Sequence, residues 1–414
     1  MRPRNYGSIF LLIVCILVVS LVAPTSCAGP APTPTTEPPP QGKTIVVSST
    51  ADSGPDTLRQ TLLDAQSGDT ITFDPAVFPP SAPATIYLTS SLPLISQGNL
   101  KIEASNAGVI LDGSNISEEW AHGLDINSDG NIIRGLQIVN FSPGTGIALG
   151  GGAQYNIIGG DRSVGSGPLG QGNLVSNVNT GIALLDDGTS FNTITGNLIG
   201  TNPTGMDAWS NYGYGVHILE GASRNIIGPD NIVAHNNING IGIQDLNSFG
   251  NTITQNSIHD NKEGGIYLWE GGNTALPAPV ILDFDLAAGT VTGFASADCT
   301  VEIFSDSSDE GEVYEGQTTA DRSGFFTFNK GASFTFISGW IEVVWSNTPI
   351  LSFNSSSCLV GSRPRALIKP LSGVLKPSII SINVILPAPF GPTSPNISPS
   401  STLKLTSFTA IKSP

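Results

Sequence analysis

Between His122 and Asn273 the chain repeats itself, and this repeat limits the available folds more tightly than anything else in the sequence. One phase is Gly-Φ-x-Φ, with Φ apolar: Gly146 to Leu149, Gly181 to Leu184, Gly215 to Ile218, Gly240 to Ile243 and Gly265 to Leu268. A second is Asn-x-Ile, at Asn131/Ile133, Asn156/Ile158, Asn192/Ile194, Asn225/Ile227 and Asn251/Ile253. A third places Ile138, Val175, Ile199, Val233 and Ile258 at matching points. The spacing is about 25 residues in clean units and about 35 where loops intrude. Three short alternating strands per unit, each apolar on one face, describe a coil wound from strands. One unit cannot bury its own apolar face, so successive turns stack around a shared core. Gly, Asn and β-branched residues disfavour helices here. The Asn that opens each unit predicts a corner, because Asn tolerates left-handed backbone. Stacked in register, such asparagines can hydrogen-bond along the coil as a ladder.

The strings NIIGG (156–160), GNLVSNVNTGIAL (172–184) and NTITGNLIGTNPTG (192–205) resemble the right-handed parallel β-helix repeats of bacterial surface proteins, relatives of the pectate-lyase superfamily. The resemblance covers about 150 residues and implies a fold rather than an activity, since that fold hosts lyases, hydrolases, epimerases and adhesins. Upstream, TADSGPDTLRQTLLDAQSGDTITFD is similar to the capping segment named for a Cys-Ser-Leu-Arg-Glu-Ala motif, of which Leu58 and Arg59 stand here. An open solenoid end exposes apolar core and unpaired strand edges, so it needs such a cover. Thr44 to Val47 reads as a strand, and Pro55 and Asp56 as the opening of a short helix with Leu58, Leu62 and Leu63 on one face. Residues 69–113 supply two or three further strand-rich turns.

After Asn273 the period stops. Thr290 to Phe294, Thr300 to Phe304 and Gly324 to Phe328 alternate between turn signals, which predicts a small immunoglobulin-like β-sandwich over 277–342. The expected fold class is therefore all-β: a right-handed parallel β-helix (a three-sheet solenoid) over 44–276 with an N-terminal cap helix, followed by the sandwich.

The ends are different material. Arg2 and Arg4 precede an apolar run, Ile9 to Ala23, that is short for a membrane span and reads as an export signal over residues 1–28. Cleavage after the Ser26-Cys27-Ala28 site gives a secreted protein; alternatively Cys27 is lipidated and anchors the chain to the envelope. Pro24 departs from the leucine usual at that position of a lipobox. Residues 29–43 form a Pro/Thr-rich linker, extended and semi-rigid. Beyond Cys27 only Cys299 and Cys358 remain, which is no disulfide framework. Residues 343–414 hold no Asp or Glu, six Lys and Arg, and ten Pro. They read either as a basic Ser/Pro-rich tail, disordered and able to meet an anionic wall polymer, or as the product of a frame change near Phe334 to Trp345.

Charge restricts the partners. Residues 44–342 carry 32 Asp and Glu against 8 Lys and Arg, a net of −24. Such a surface repels phosphate backbones and anionic lipid, which excludes nucleic acid and leaves membrane contact to the lipid anchor alone.

The repeat alignment also lines up a candidate site. Five residues after each phase glycine stand Gly151, Asp186, Glu220, Asp245 and Glu270. Strands stack about 4.8 Å apart, so four carboxylates form a column at one edge of a sheet, with like charges that oppose each other. Splaying into solvent, raised pKa values or a bound cation would relieve them, and oxygen ligands in that number suit Ca²⁺. Adjacent pairs, Asp186/Glu220 and Asp245/Glu270, would stand about 5 Å apart, the separation of a retaining glycosidase. Against catalysis, no stacked Lys or Arg stands by to serve as the base that lyases of the resembled superfamily use. Asp186-Asp187 resembles the polygalacturonase double aspartate, but the accompanying Gly-His-Gly and Arg-Ile-Lys are missing. The plain alternative is that these acids begin solvated turns.

Outward positions on the same strands include His217, Gln244, Tyr267 and Trp269. Aromatic rings beside carboxylates make a saccharide platform, with sugar faces on the rings and hydroxyls on the acids. His235, His259 and Asp260, with Lys262 nearby, share another corner, where a His–Asp dyad or a solvated polar turn would fit. DSSDEGE (306–312) reads as an acidic hairpin turn. The expected function is an exported cell-surface protein that binds polysaccharide or another surface component through a β-helix face. A polysaccharide lyase or glycosidase working through the acidic column, and a structural stalk or adhesin without a site, are the alternatives.

Overall fold

The computed structural model describes residues 42–285, 288–306 and 310–331, together with the backbone of strands Trp340–Val344 and Ile382–Asn383. The expected leader, Cys27, nearly all of the linker and most of the tail lie outside the described residues.

Three parallel sheets run the length of the coil. The first has eight strands, from Thr44–Val47 and Thr70–Phe73 to Thr252–Ile253. The second has seven, from Ala84–Tyr87 to Ser257–His259, and the third six, from Leu124–Ile126 to Gly264–Trp269. The three sequence phases are the three sheets. Ile133, Ile158, Ile194, Ile227 and Ile253 pair in register in the first. Ile138, Val175, Ile199, Val233 and Ile258 do so in the second. Ile147, Ile182, Val216, Ile241 and Ile266 do so in the third. Nearly all of these are fully buried in one core.

The phase glycine has a steric cause. A Cβ on Gly146 would sit 2.1 Å from Val175 Cγ1, and one on Gly215 would sit 2.5 Å from Val233 Cγ1. The β-branched residues of the second sheet thus pack onto bare backbone of the third, which no side chain permits.

The corners are held by buried amides. Asn131, Asn156, Asn192, Asn225 and Asn251 are fully buried and chain from side chain to side chain at 2.8, 2.9, 2.9 and 3.1 Å. Two more ladders run beside this one: Asn173–Asn197–Asn231–Asn256 and Asn211–Asn236–Asn261. Each amide also satisfies a backbone group that the turn leaves unpaired, as buried polar groups require.

At the N-terminal end, helix Leu58–Asp64 covers the core with Leu58, Thr61 and Leu62. Thr57 caps it, accepting from Gln60 N at 3.2 Å. Leu63, expected on the same face as Leu58 and Leu62, is 60% exposed, because at 3.6 residues per turn it stands about 140° round the helix from Leu58, off the buried 58/61/62 stripe. Arg59 donates to Asp52 Oδ1 at 2.6 Å and to the carbonyls of Ser90 and Ser91. Leu58 and Arg59 therefore divide the labour, one in the core and one tying the helix to neighbouring segments.

Loops 160–172 and 200–209 account for the long repeats. The first carries Leu169, which packs with Val139, Leu174 and Leu198 on the outer face of the second sheet.

After the coil come two sheets, antiparallel but for the pairing of Trp340–Val344 with Ile382–Asn383. One holds Val280–Asp285, Thr290–Phe294 and Phe325–Asn329. The other holds Thr300–Asp306 flanked by Val313–Thr319 and Trp340–Val344, with Ile382–Asn383 beyond. Val291, Val301, Ile303 and Phe326 form their shared core. This small sandwich closes the coil: Glu302 accepts from Thr254 Oγ1 at 2.6 Å and from Gln255 N at 3.1 Å. DSSDEGE joins the antiparallel strands Thr300–Asp306 and Val313–Thr319, as expected of a hairpin, and its Asp306 and Glu310 are both buried. Asp306 Oδ2 accepts from the N–H groups of Glu310 and Gly311.

Candidate functional site

The outer face of the third sheet brings the expected binding residues together. Ala148, Ala183, His217, Gly242 and Tyr267 form one register column, which Asp125 extends at the far end. Gln244 stands opposite Trp269. The Tyr267 and Trp269 rings lie 5.9 Å apart, tilted by 32°, and Gln244 Nε2 donates to Glu270 Oε2 at 2.8 Å.

Tyr214 belongs to this face too. Its ring stacks on His217 at 4.2 Å and fills the place of a side chain at Gly242, 2.7 Å from where a Cβ would stand. Burial pushes the Tyr214 hydroxyl up, and the charges of Glu263 and Tyr267 push it further. Glu263 is therefore near enough for Tyr214 to feel its charge. Burial lowers His217 to about 4, so its imidazole is neutral at physiological pH. Among the described residues, His217 Nε2 and Trp269 Nε1 are buried without a hydrogen-bond partner. Each such vacancy costs about 1–3 kcal/mol.

The acidic column is a corner. Gly151, Asp186, Glu220, Asp245 and Glu270 all have left-handed backbone, with φ between 50° and 73°, so the alternation of the strand has already ended there. The two aspartates engage the preceding coil. Asp186 Oδ2 accepts from Gly151 N at 2.8 Å, and Asp245 Oδ2 from Glu220 N at 2.6 Å. Asp245 also accepts from Asn247 N, Ser248 N and the Ser248 hydroxyl. Partial burial pushes Asp245 up, but these donors outweigh it and hold the carboxyl below its ordinary value. Like charge at this corner is relieved by backbone N–H groups for both aspartates, and Asp245 shifts opposite to a raised pKa.

Sequence reasoning missed Tyr214 and Glu263, which precede the strands rather than lie at their alternating positions. It also missed a second aromatic row at the corner before the first sheet. Tyr155 stacks on Phe191 at 5.4 Å, and the Arg224 guanidinium lies 4.9 Å from the Phe249 ring centre. The signal was there, because Tyr155, Phe191 and Arg224 each precede a ladder asparagine.

Three sheets of in-register parallel strands, wound coil upon coil, agree with the comparison of family models. Residues 94–277 match the model described as a right handed beta helix region. Over these residues the chain folds as a right-handed parallel β-helix. A comparison with curated proteins finds no match.

Proposed function

We propose that this β-helix repeat protein is exported, held at the cell envelope or released from it, and binds polysaccharide along the outer face of its third sheet. One observation carries the reading. The Tyr267 and Trp269 rings lie side by side, with the hydrogen-bonded Gln244–Glu270 pair at their edge. Ring faces take the apolar face of a sugar, while amide and carboxylate take its hydroxyls. Tyr214 and His217, stacked on each other, extend the aromatic surface along the coil, with Tyr214 covering Gly242. Binding is favoured over acid–base chemistry because Asp186 and Asp245 already accept backbone N–H groups, and a general acid needs a raised pKa rather than the lowered one of Asp245.

The test is a polysaccharide panel screened for retention and for new reducing or unsaturated ends, with calcium and then with EDTA. Retention without products supports the proposal, and dependence on calcium would add a cation to it. Products abolished by Asp245→Asn or Glu270→Gln would replace it with a lyase or glycosidase. Silence throughout would leave a stalk or adhesin.

A further inference from the structure

We propose that His235, His259 and Asp260 form a site for a divalent transition-metal ion of the Zn²⁺ class, at the corner that follows the second sheet. The backbone sets the arrangement. Ala234 and His259 are register partners in adjacent coils, which places His235 beside Asp260 about 4.8 Å away. Both occupy the left-handed corner, at φ 59° and 54°. Asn140, Asn177 and Thr201 stand at the matching position in earlier coils, so only the last two coils place histidine or carboxylate there.

His259 leaves the end of its strand opposite Ala234, whose small side chain leaves room for the ring. The His259 and His235 rings meet edge to face, 5.7 Å apart at 86°. His259 Nδ1 lies 2.9 Å from Asp260 Oδ2. One ring nitrogen from each histidine and one Asp260 oxygen all lie within 4.8 Å of one another, the sole such gathering of three His, Cys, Asp or Glu ligands among the described residues. Metal–ligand bonds of 2.0–2.1 Å in a tetrahedron put ligand atoms about 3.3 Å apart. Closing that gap takes a side-chain rotation, which Asp260, 53% exposed, is free to make.

A second observation points to a ligand. His235 Nε2 is buried and has no hydrogen-bond partner among the described residues. A buried ring nitrogen without a partner is unfavourable whichever tautomer it adopts, and coordination is one of the ways to satisfy it. The surroundings are rigid. Ile258 N donates to Gly311 O at 3.0 Å, and Asn261 is bound to Asn236 and Glu310 at 2.8 Å each. The residues on both sides of His259 and Asp260 are therefore fixed by the ladder and the sandwich, as a metal site requires. Two imidazoles select Zn²⁺, Cu²⁺ or Ni²⁺ over Ca²⁺, which takes six to eight oxygens. Three protein ligands leave one position for water or for an oxygen of a bound molecule.

The test uses the full chain without a histidine tag, stripped with EDTA and dialysed against Zn²⁺. Metal content, titration calorimetry and the visible spectrum of the Co²⁺ form are the readouts. The variants are His235→Asn and Asp260→Asn, which keep residues suited to left-handed backbone, and His259→Gln. One ion per chain is expected, with a tetrahedral Co²⁺ spectrum. Each variant should weaken binding by roughly tenfold or more while far-UV circular dichroism stays unchanged. Failure of the wild-type chain to retain an ion would overturn the proposal, as would variants that bind with wild-type stoichiometry and affinity.

Discussion

Glu310 Oε2 accepts from Asn261 Nδ2 at 2.8 Å and from Asn261 N at 3.1 Å. Asn261 Oδ1 makes the same two contacts to Asn236 one coil earlier, at 2.8 and 3.0 Å. The sandwich therefore continues a ladder of the coil with a carboxylate where the next asparagine would stand. The end of a solenoid exposes strand edges and unpaired donors, and this contact satisfies two of them.

Glu310→Ala should consequently destabilise the last coils by about 2–4 kcal/mol, because two buried N–H groups of Asn261 lose their acceptor. Glu310→Gln retains an acceptor oxygen and should cost less. Urea denaturation and limited proteolysis of the three proteins check this, and an alanine variant as stable as the wild type would refute the capping role.

Within the first ladder, Asn192 donates to Ala153 O and Asn225 Oδ1 and accepts from Asn156 N and Nδ2, each at 2.9 Å. Asn192→Ala should cost about 3 kcal/mol or more, since four hydrogen bonds of a fully buried group are lost together. Denaturant midpoints provide the measurement. A change under 1 kcal/mol (about the net worth of one hydrogen bond) would mean that the ladder follows the fold rather than supporting it.

The N-terminal cap carries an acid-sensitive contact. Partial burial pushes the Asp52 carboxyl up, but hydrogen bonds from Thr89 and Arg59 and the Arg59 charge hold it below 3.8. The unfolded chain then binds the proton more readily, so the stabilisation is complete above the unfolded value and is lost as pH falls through the lower folded one. Asp52→Asn should cost about 1–2 kcal/mol at pH 7 and show a shallower loss of stability below pH 4. Identical acid profiles for the two proteins would contradict this.

His217 acts at a different pH. Its folded value is lowered by burial from 6.5 to about 4, so between these values the unfolded chain takes up a proton that the folded chain refuses. Stability should fall as pH drops from 6.5 toward 4 and level off below. His217→Gln should remove that slope when urea midpoints are compared across pH.

Much of this architecture was legible because a stacked coil asks the same question at every turn. The inward Ile and Val, the phase glycine and the ladder asparagine each recur, so one unit corroborates the next. Asp186 and Asp245 show the limit of that logic: they recur too, but their partners are backbone N–H groups of the preceding coil, which a sequence does not display. Glu302 and Glu310 were harder still. They meet Thr254 and Asn261 nearly fifty positions away, with no repeat to mark the pairing, and nothing in the acid-rich string around Glu310 shows which ladder it completes. Tyr214 was passed over because it lies outside the alternating positions, although its ring covers Gly242.

The binding face is tested most directly by comparing two aromatic variants on the polysaccharides that retain the wild-type chain. Trp269→Ala removes a ring from the third-sheet face, whereas Phe191→Ala removes one from the exposed row at the first corner. The account predicts that Trp269→Ala weakens retention by roughly tenfold or more and that Phe191→Ala leaves it unchanged. Undiminished retention of Trp269→Ala, or loss on Phe191→Ala alone, would place binding elsewhere and contradict it.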